Sequence, residues 1–199
     1  VVCGNFASWN DNPTNTTNLD APILRLMLSM GCHKETTWIS LDISTAFLTA
    51  EMGEERKIIL RPPAVLVKLG IMRPDEFWMA RKAVYGLREA PRLWQESRDK
   101  KFATMTFKVG SDVFCLQQSQ VHVSLWYIMK KRSTSERTQK SLRIDSDKLP
   151  LEDVSRWLDQ EPMGYLGIYV DDLLICAERS IGDGLVQSIR HIWKTNEPE

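Results

Sequence analysis

The sequence lacks an excess of charge of either sign: 26 Lys and Arg balance 26 Asp and Glu over 199 residues. A complete protein that grips nucleic acid is usually basic, so this balance weighs against that class. Cysteine is sparse. Cys3, Cys32, Cys115 and Cys176 are scattered with no Cys-x-x-Cys pair, which argues against a zinc site and for reduced structural thiols in an intracellular setting. No run is long and apolar enough to span a membrane. No signal peptide is visible. A Gly-rich phosphate loop and a serine in nucleophile-elbow context are missing too. The chain opens with Val1-Val2-Cys3 and no initiator Met, and it reads as a fragment. What remains is ordinary for a globular protein: 43% apolar and 26% charged residues. That is enough chain for a real core, in one domain or two small lobes.

The pattern of elements mixes helices and strands. Val1 to Phe6 reads as a strand and Asn10 to Asn18 as a loop. Asp20 suits an N-cap for an apolar helix from Ile23 that Gly31 ends. Thr37 to Leu41 reads as a strand with Asp42 at its end, followed by a turn and short helix over Ser44 to Leu48. Lys57 to Leu60 and Phe77 to Val84 are further strand candidates, and Pro91 to Phe107 fits a long helix. Val113 to Leu116 and Val121 to Met129 suit paired strands. Residues 130–162 read as a polar loop insertion, and Gly184 to Trp193 as a last helix. The expected class is α+β, an antiparallel sheet with helices packed on one face. His33, His122 and His191 are isolated in sequence, and Trp38 and Trp94 sit at core-like positions rather than as base-stacking platforms.

The most informative stretch is Gly167-Ile168-Tyr169-Val170-Asp171-Asp172-Leu173-Leu174-Ile175-Cys176. Its flanks suit buried strands. Two adjacent carboxylates inside such a run repel each other partly out of water, and a bound cation offsets that cost. A tight hairpin places both acids at one tip. A third carboxylate from another strand completes a metal site, and Asp42 is the best candidate. Asp oxygens are hard ligands that suit magnesium, whose coordination substrate phosphates often complete. Two such ions support phosphoryl transfer. The competing reading is a solvated turn.

Tyr169-Val170-Asp171-Asp172 resembles the Y-x-D-D box of reverse transcriptases. Leu41-Asp42-Ile43-Ser44-Thr45-Ala46-Phe47-Leu48 resembles their D-x-x-x-A-F box. Val84 to Trp94 resembles the Y-G-L-K-Q-A-P-R-x-W signature of copia-type LTR retrotransposons. Val1 to Phe6 resembles the R-L-V-x-x-G strand upstream, so the similarity runs in order along nearly the whole chain. The resemblance implies a right-hand polymerase palm with partial fingers as one domain fragment, without thumb, connection or RNase H. It implies RNA-directed DNA polymerase activity with two Mg2+ ions (Mn2+ as a possible substitute) held by the catalytic acids Asp42, Asp171 and Asp172. Ile43, Ser44, Thr45, Ala46 and Glu89 would line the incoming nucleotide. Phe47 would lie under its sugar and exclude a 2′-hydroxyl, and Tyr169 would touch the primer terminus. The implied partners are an RNA template, a DNA primer, deoxynucleoside triphosphates and the remaining Pol domains, integrase and RNase H, with no membrane. The implied location is an intracellular, cytoplasmic virus-like particle.

One position departs from the pattern. Glu89 stands where the family has Gln, and a carboxylate near a triphosphate repels it unless protonated or paired, with Arg88 or Arg92 as candidates. A second function class therefore stands beside the enzyme: a degenerate or co-opted palm that folds and at most binds nucleic acid. A different palm-fold enzyme, such as a nucleotide cyclase, gives no role to the middle box or to Phe47.

Overall fold

A computed structural model of the chain describes residues 16–32, 36–53, 57–131 and 161–198. The strand expected over Val1 to Phe6 lies outside them, as does nearly all of the 130–162 segment. The described residues fall into two compact units. One comprises Ser44–Lys101; the other joins Thr17–Ile43 to the described residues from Phe102 onward.

The second unit is built on a six-stranded sheet. Its strands are β1 (Thr37–Asp42), β4 (Thr106–Val109), β5 (Asp112–Gln118), β6 (Leu125–Lys130), β7 (Gly164–Tyr169) and β8 (Asp172–Ala177), in the order β1-β8-β7-β6-β5-β4. Every neighbouring pair is antiparallel. Helix α1 (Ala21–Cys32) begins where Asp20 Oδ1 accepts the Ile23 N–H at 3.0 Å, the N-cap bond that the sequence suggested. The last helix, α5, spans Arg179–Ile192.

These two helices lie on opposite faces, which corrects the expected one-sided packing. Trp38 faces Cys176 across β1 and β8, and the next pair is Ile39 with Ile175. Successive strand residues point to opposite faces. A Cβ on Gly31 of α1 would sit 2.5 Å from Cys176 Sγ and 2.6 Å from the Trp38 ring. A Cβ on Gly182 of α5 would sit 2.8 Å from Ile39 Cδ1. The strands are apolar on both sides, so each face needs its own cover. Met27, Leu125, Tyr165 and Cys176 form the core under α1. Ile181, Leu185, Val186 and Ile189 bury the inner side of α5.

Among the boundaries that differ from the sequence reading (β6, for one, begins at Leu125 rather than Val121), three have a packing reason. Helix α1 passes through Gly31, whose missing side chain admits Trp38 and Cys176. Helix α5 starts five residues before Gly184, because Gly182 and Gly184 allow close approach to Ile39, Phe107 and Val109. That packing offsets the weak helix propensity of glycine. Phe107, expected at a helix end, lies instead in β4, stacked on Phe114 with ring centroids 5.5 Å apart.

The first unit holds smaller elements. They are α2 (Ala46–Thr49), β2 (Ile58–Leu60), α3 (Ala64–Lys68), β3 (Trp78–Ala80) and most of α4 (Ala90–Thr104). Strands β2 and β3 form a two-stranded antiparallel sheet, and only three residues of the expected Phe77 to Val84 strand are in it. No helix among the described residues is long and apolar enough to cross a membrane.

Candidate active site

The hairpin of β7 and β8 sets out the first acids. Tyr169 pairs with Asp172, and Val170-Asp171 make the turn between them. On the other side of β8, Asp172 pairs with Asp42 at the end of β1. Tyr169, Asp172 and Asp42 therefore form one row across three strands and share one face. By the alternation of β1 that face is the one bearing Trp38 and α1, beyond the part that α1 covers, where Ser40 and Asp172 are exposed. Tyr169 is 56% exposed and so is not a core tyrosine.

The backbone brings the pair close. The Asp42 N–H donates to Asn196 Oδ1 at 2.8 Å, and the Asp42 carbonyl accepts the Asn196 N–H at 3.2 Å. Both Asp42 peptide groups thus point away from β8. Asp42 and Asp172 are then a non-hydrogen-bonded pair, the closer kind, with Cα atoms about 4.5 Å apart. The Ile43 N–H donates to the Asp171 carbonyl at 3.0 Å, which ties the hairpin turn to the end of β1.

Electrostatics agree with this crowding. Partial burial raises the Asp172 carboxyl above the usual carboxylate value, and the charges of Asp171 and Asp42 push it the same way. The donor set is all carboxylate oxygen, which fits a hard cation such as Mg2+. Among the described residues, no group of three His, Cys, Asp or Glu side chains is arranged to hold a metal ion. The donor chemistry suits a hard cation, and Asp171 lies on the turn beside the Asp42–Asp172 pair.

Backbone conformation is unusual at two residues close in sequence to these acids. Val170 (φ 57°) and Thr45 (φ 56°) are the non-glycine residues with positive φ among the described residues. Each is β-branched, for which this region is strained, and strain of this kind concentrates at functional sites. Val170 directly precedes Asp171, and Thr45 follows Asp42 by three positions.

The sequence-nominated nucleotide residues are placed as follows. Ile43 is buried and bridges to Thr195. Ser44 and Thr45 form the turn after it, and Ala46 and Phe47 open α2. Phe47 packs against Tyr85, with ring centroids 4.7 Å apart. Glu89 is 7% exposed and immediately precedes α4, whose N-terminal end favours a negative charge. Its carbonyl accepts the Leu93 N–H. Arg92, one of the two partners expected for Glu89, pairs with Glu96 instead. Asn196 and Tyr85 were missed by the sequence reading. Tyr85 sat within a quoted motif, but nothing local marked Asn196, which meets Asp42 from 154 residues away.

Residues 10–125, or 116 of 199, match a family model described as reverse transcriptase (RNA-dependent DNA polymerase). The match takes in Asp42, Phe47 and Glu89 and ends before the hairpin of Asp171 and Asp172. A retrovirus-related Pol polyprotein from transposon RE2 of Arabidopsis thaliana is 34% identical over 71 residues. Those residues are 36% of this chain and 5% of that protein, so the chain spans only a small part of its relative's length. No solved structure matches.

Proposed function

Because the chain belongs to the reverse transcriptase (RNA-dependent DNA polymerase) family, we propose that it carries the polymerase centre of a copia-type retrotransposon Pol protein. In this reading the sheet unit is the palm and Ser44–Lys101 contributes part of the fingers. A primer 3′-hydroxyl attacks the α-phosphate of a deoxynucleoside triphosphate on an RNA template. A new O–P bond forms, the bond to the β-phosphate breaks and pyrophosphate leaves. The observation that carries the reading is the row of Tyr169, Asp172 and Asp42 with Asp171 on the adjoining turn.

Asp42, Asp171 and Asp172 would hold the ions. Two bound Mg2+ ions, or Mn2+ in their place, would supply activation of the attacking oxygen and stabilisation of the leaving one. The chain's own contribution is placement. The β1–β8 ladder holds Asp42 opposite Asp172, and the Ile43–Asp171 hydrogen bond ties the turn to the same strand end. The exposed Tyr169 ring, in the same row, would meet the primer terminus. Phe47, braced by Tyr85, would meet the sugar and reject a 2′-hydroxyl. The other Pol domains, an intracellular particle, and the template and primer belong to the same proposal.

A non-catalytic palm that only binds nucleic acid is the second reading. It is favoured by the absence, among the described residues, of three converging ligands. RNA-templated primer extension by the full-length protein separates the two. Product that needs Mg2+ and disappears with chelator supports the polymerase. Template binding without product at any Mg2+ or Mn2+ concentration supports the second reading.

A further inference from the structure

We propose that Asn196 is a positioning residue for Asp42, a role that rests on the reading of Asp42 as a polymerase acid. Among the described residues, β1 is the outermost strand of its sheet. Asp42 is its last residue, the place where an edge strand frays first. The outward peptide groups there would face solvent, yet Asn196 meets both of them. Its side-chain oxygen takes the Asp42 N–H, and its own N–H reaches the Asp42 carbonyl. Next to it, Ile43 and Thr195 make an antiparallel bridge. Among the described residues, a short C-terminal segment thus extends the sheet at the acid.

That segment is itself held. Arg190, in the last turn of α5, donates from Nε to Thr195 Oγ1 at 3.1 Å and from Nη2 to the Asn196 carbonyl at 2.8 Å. The same Nη2 pairs with Glu197 at 3.1 Å. Helix α5 is anchored on one face of the sheet, and the acid row lies on the other. Arg190 and Asn196 link the two across the sheet edge. Asn196 touches no substrate atom in this account. It fixes where the Asp42 carboxylate stands opposite Asp172.

Two measurements test this. In the full-length protein, Asn196→Ala lowers kcat for primer extension by about three- to tenfold, the worth of one hydrogen bond, and leaves the nucleotide KM within about twofold. Asn196→Asp keeps an oxygen acceptor and recovers most of kcat. In the present chain, amide hydrogen exchange at Asp42 accelerates in Asn196→Ala but not at Ile175 in the sheet centre. Asn196 is exposed, so truncation leaves the core intact. Unchanged kcat in Asn196→Ala, equal losses in the Ala and Asp variants, or unchanged exchange at Asp42 would each overturn the proposal. Asp42→Asn serves as the control. If it polymerises normally, the polymerase reading fails; if it is dead while Asn196→Ala is normal, only the positioning role fails.

Discussion

The two compact units solve different problems. In the sheet unit, strands are buried on both faces, and Asp42 and Asp172 stand at fixed register positions on a ladder. In Ser44–Lys101, strands are three residues long, and Ile59, Leu69, Ile71, Phe77, Trp78 and Met79 are exposed. The residues assigned to the nucleotide there stand on turns and helix starts. The difference teaches that the proposed acids are placed by long-range pairing, whereas the residues proposed to meet the nucleotide are placed by local turns. Mutations in the two units should therefore fail in different ways.

The sharpest break in that contrast is at Asp42. Asp42→Asn removes a charge that the sheet holds in register, and primer extension by the full-length protein should fall by about a thousandfold or more. Circular dichroism and thermal midpoint should stay as in the parent.

Stability gives the next contrast. A Cβ at Gly31 meets Cys176 and the Trp38 ring far inside van der Waals distance. Gly31→Ala should cost about 1–3 kcal/mol by denaturant unfolding, the usual range for overpacking. Ile59→Thr, at a position 68% exposed on the small sheet, should change stability by less than about 0.5 kcal/mol. Equal costs would mean that the two units are packed alike.

A smaller effect is expected in specificity. Tyr85→Ala removes the ring that packs on Phe47. Discrimination against ribonucleotides should drop about two- to tenfold, as an aromatic contact of about 0.5–1.5 kcal/mol is lost. The ratio of kcat/KM for deoxy- and ribonucleotides reads it, with activity on deoxynucleotides largely kept.

The smallest effect is in pH dependence. The Asp172 carboxyl is raised in the folded chain by partial burial and by Asp171 and Asp42. The native state then holds that proton more tightly than the unfolded chain does. Its stabilising contribution is present at low pH and is lost as pH rises through the raised value. With chelator present, the native chain should lose stability relative to Asp172→Asn just above the ordinary carboxylate range. An opposite slope would mean that a cation-like partner already faces Asp172.

Much of the site was legible because its signals are local. An apolar run broken by Asp171-Asp172 describes a hairpin, and β7 and β8 flank that pair as its two strands. Asp20 announces α1 by one capping bond. Asp42 was legible as a strand end, but its pairing opposite Asp172 is a property of register across 130 residues of chain, which no local pattern encodes. The same holds for Asn196. The first turn of the last helix, from Arg179, was missed because its fit depends on Gly182 packing against Ile39, a long-range contact. The two-sided helix cover was hidden for a related reason: continuous apolar strands announce burial but not which side each helix takes.

Asp42, Asp171 and Asp172 are proposed to act together as the acids of a polymerase. Primer extension on an RNA template by the full-length protein carrying Asp171→Asn tests this role most directly. No product is expected from this variant while its folding and template binding match the parent. Extension at the parental rate would contradict it.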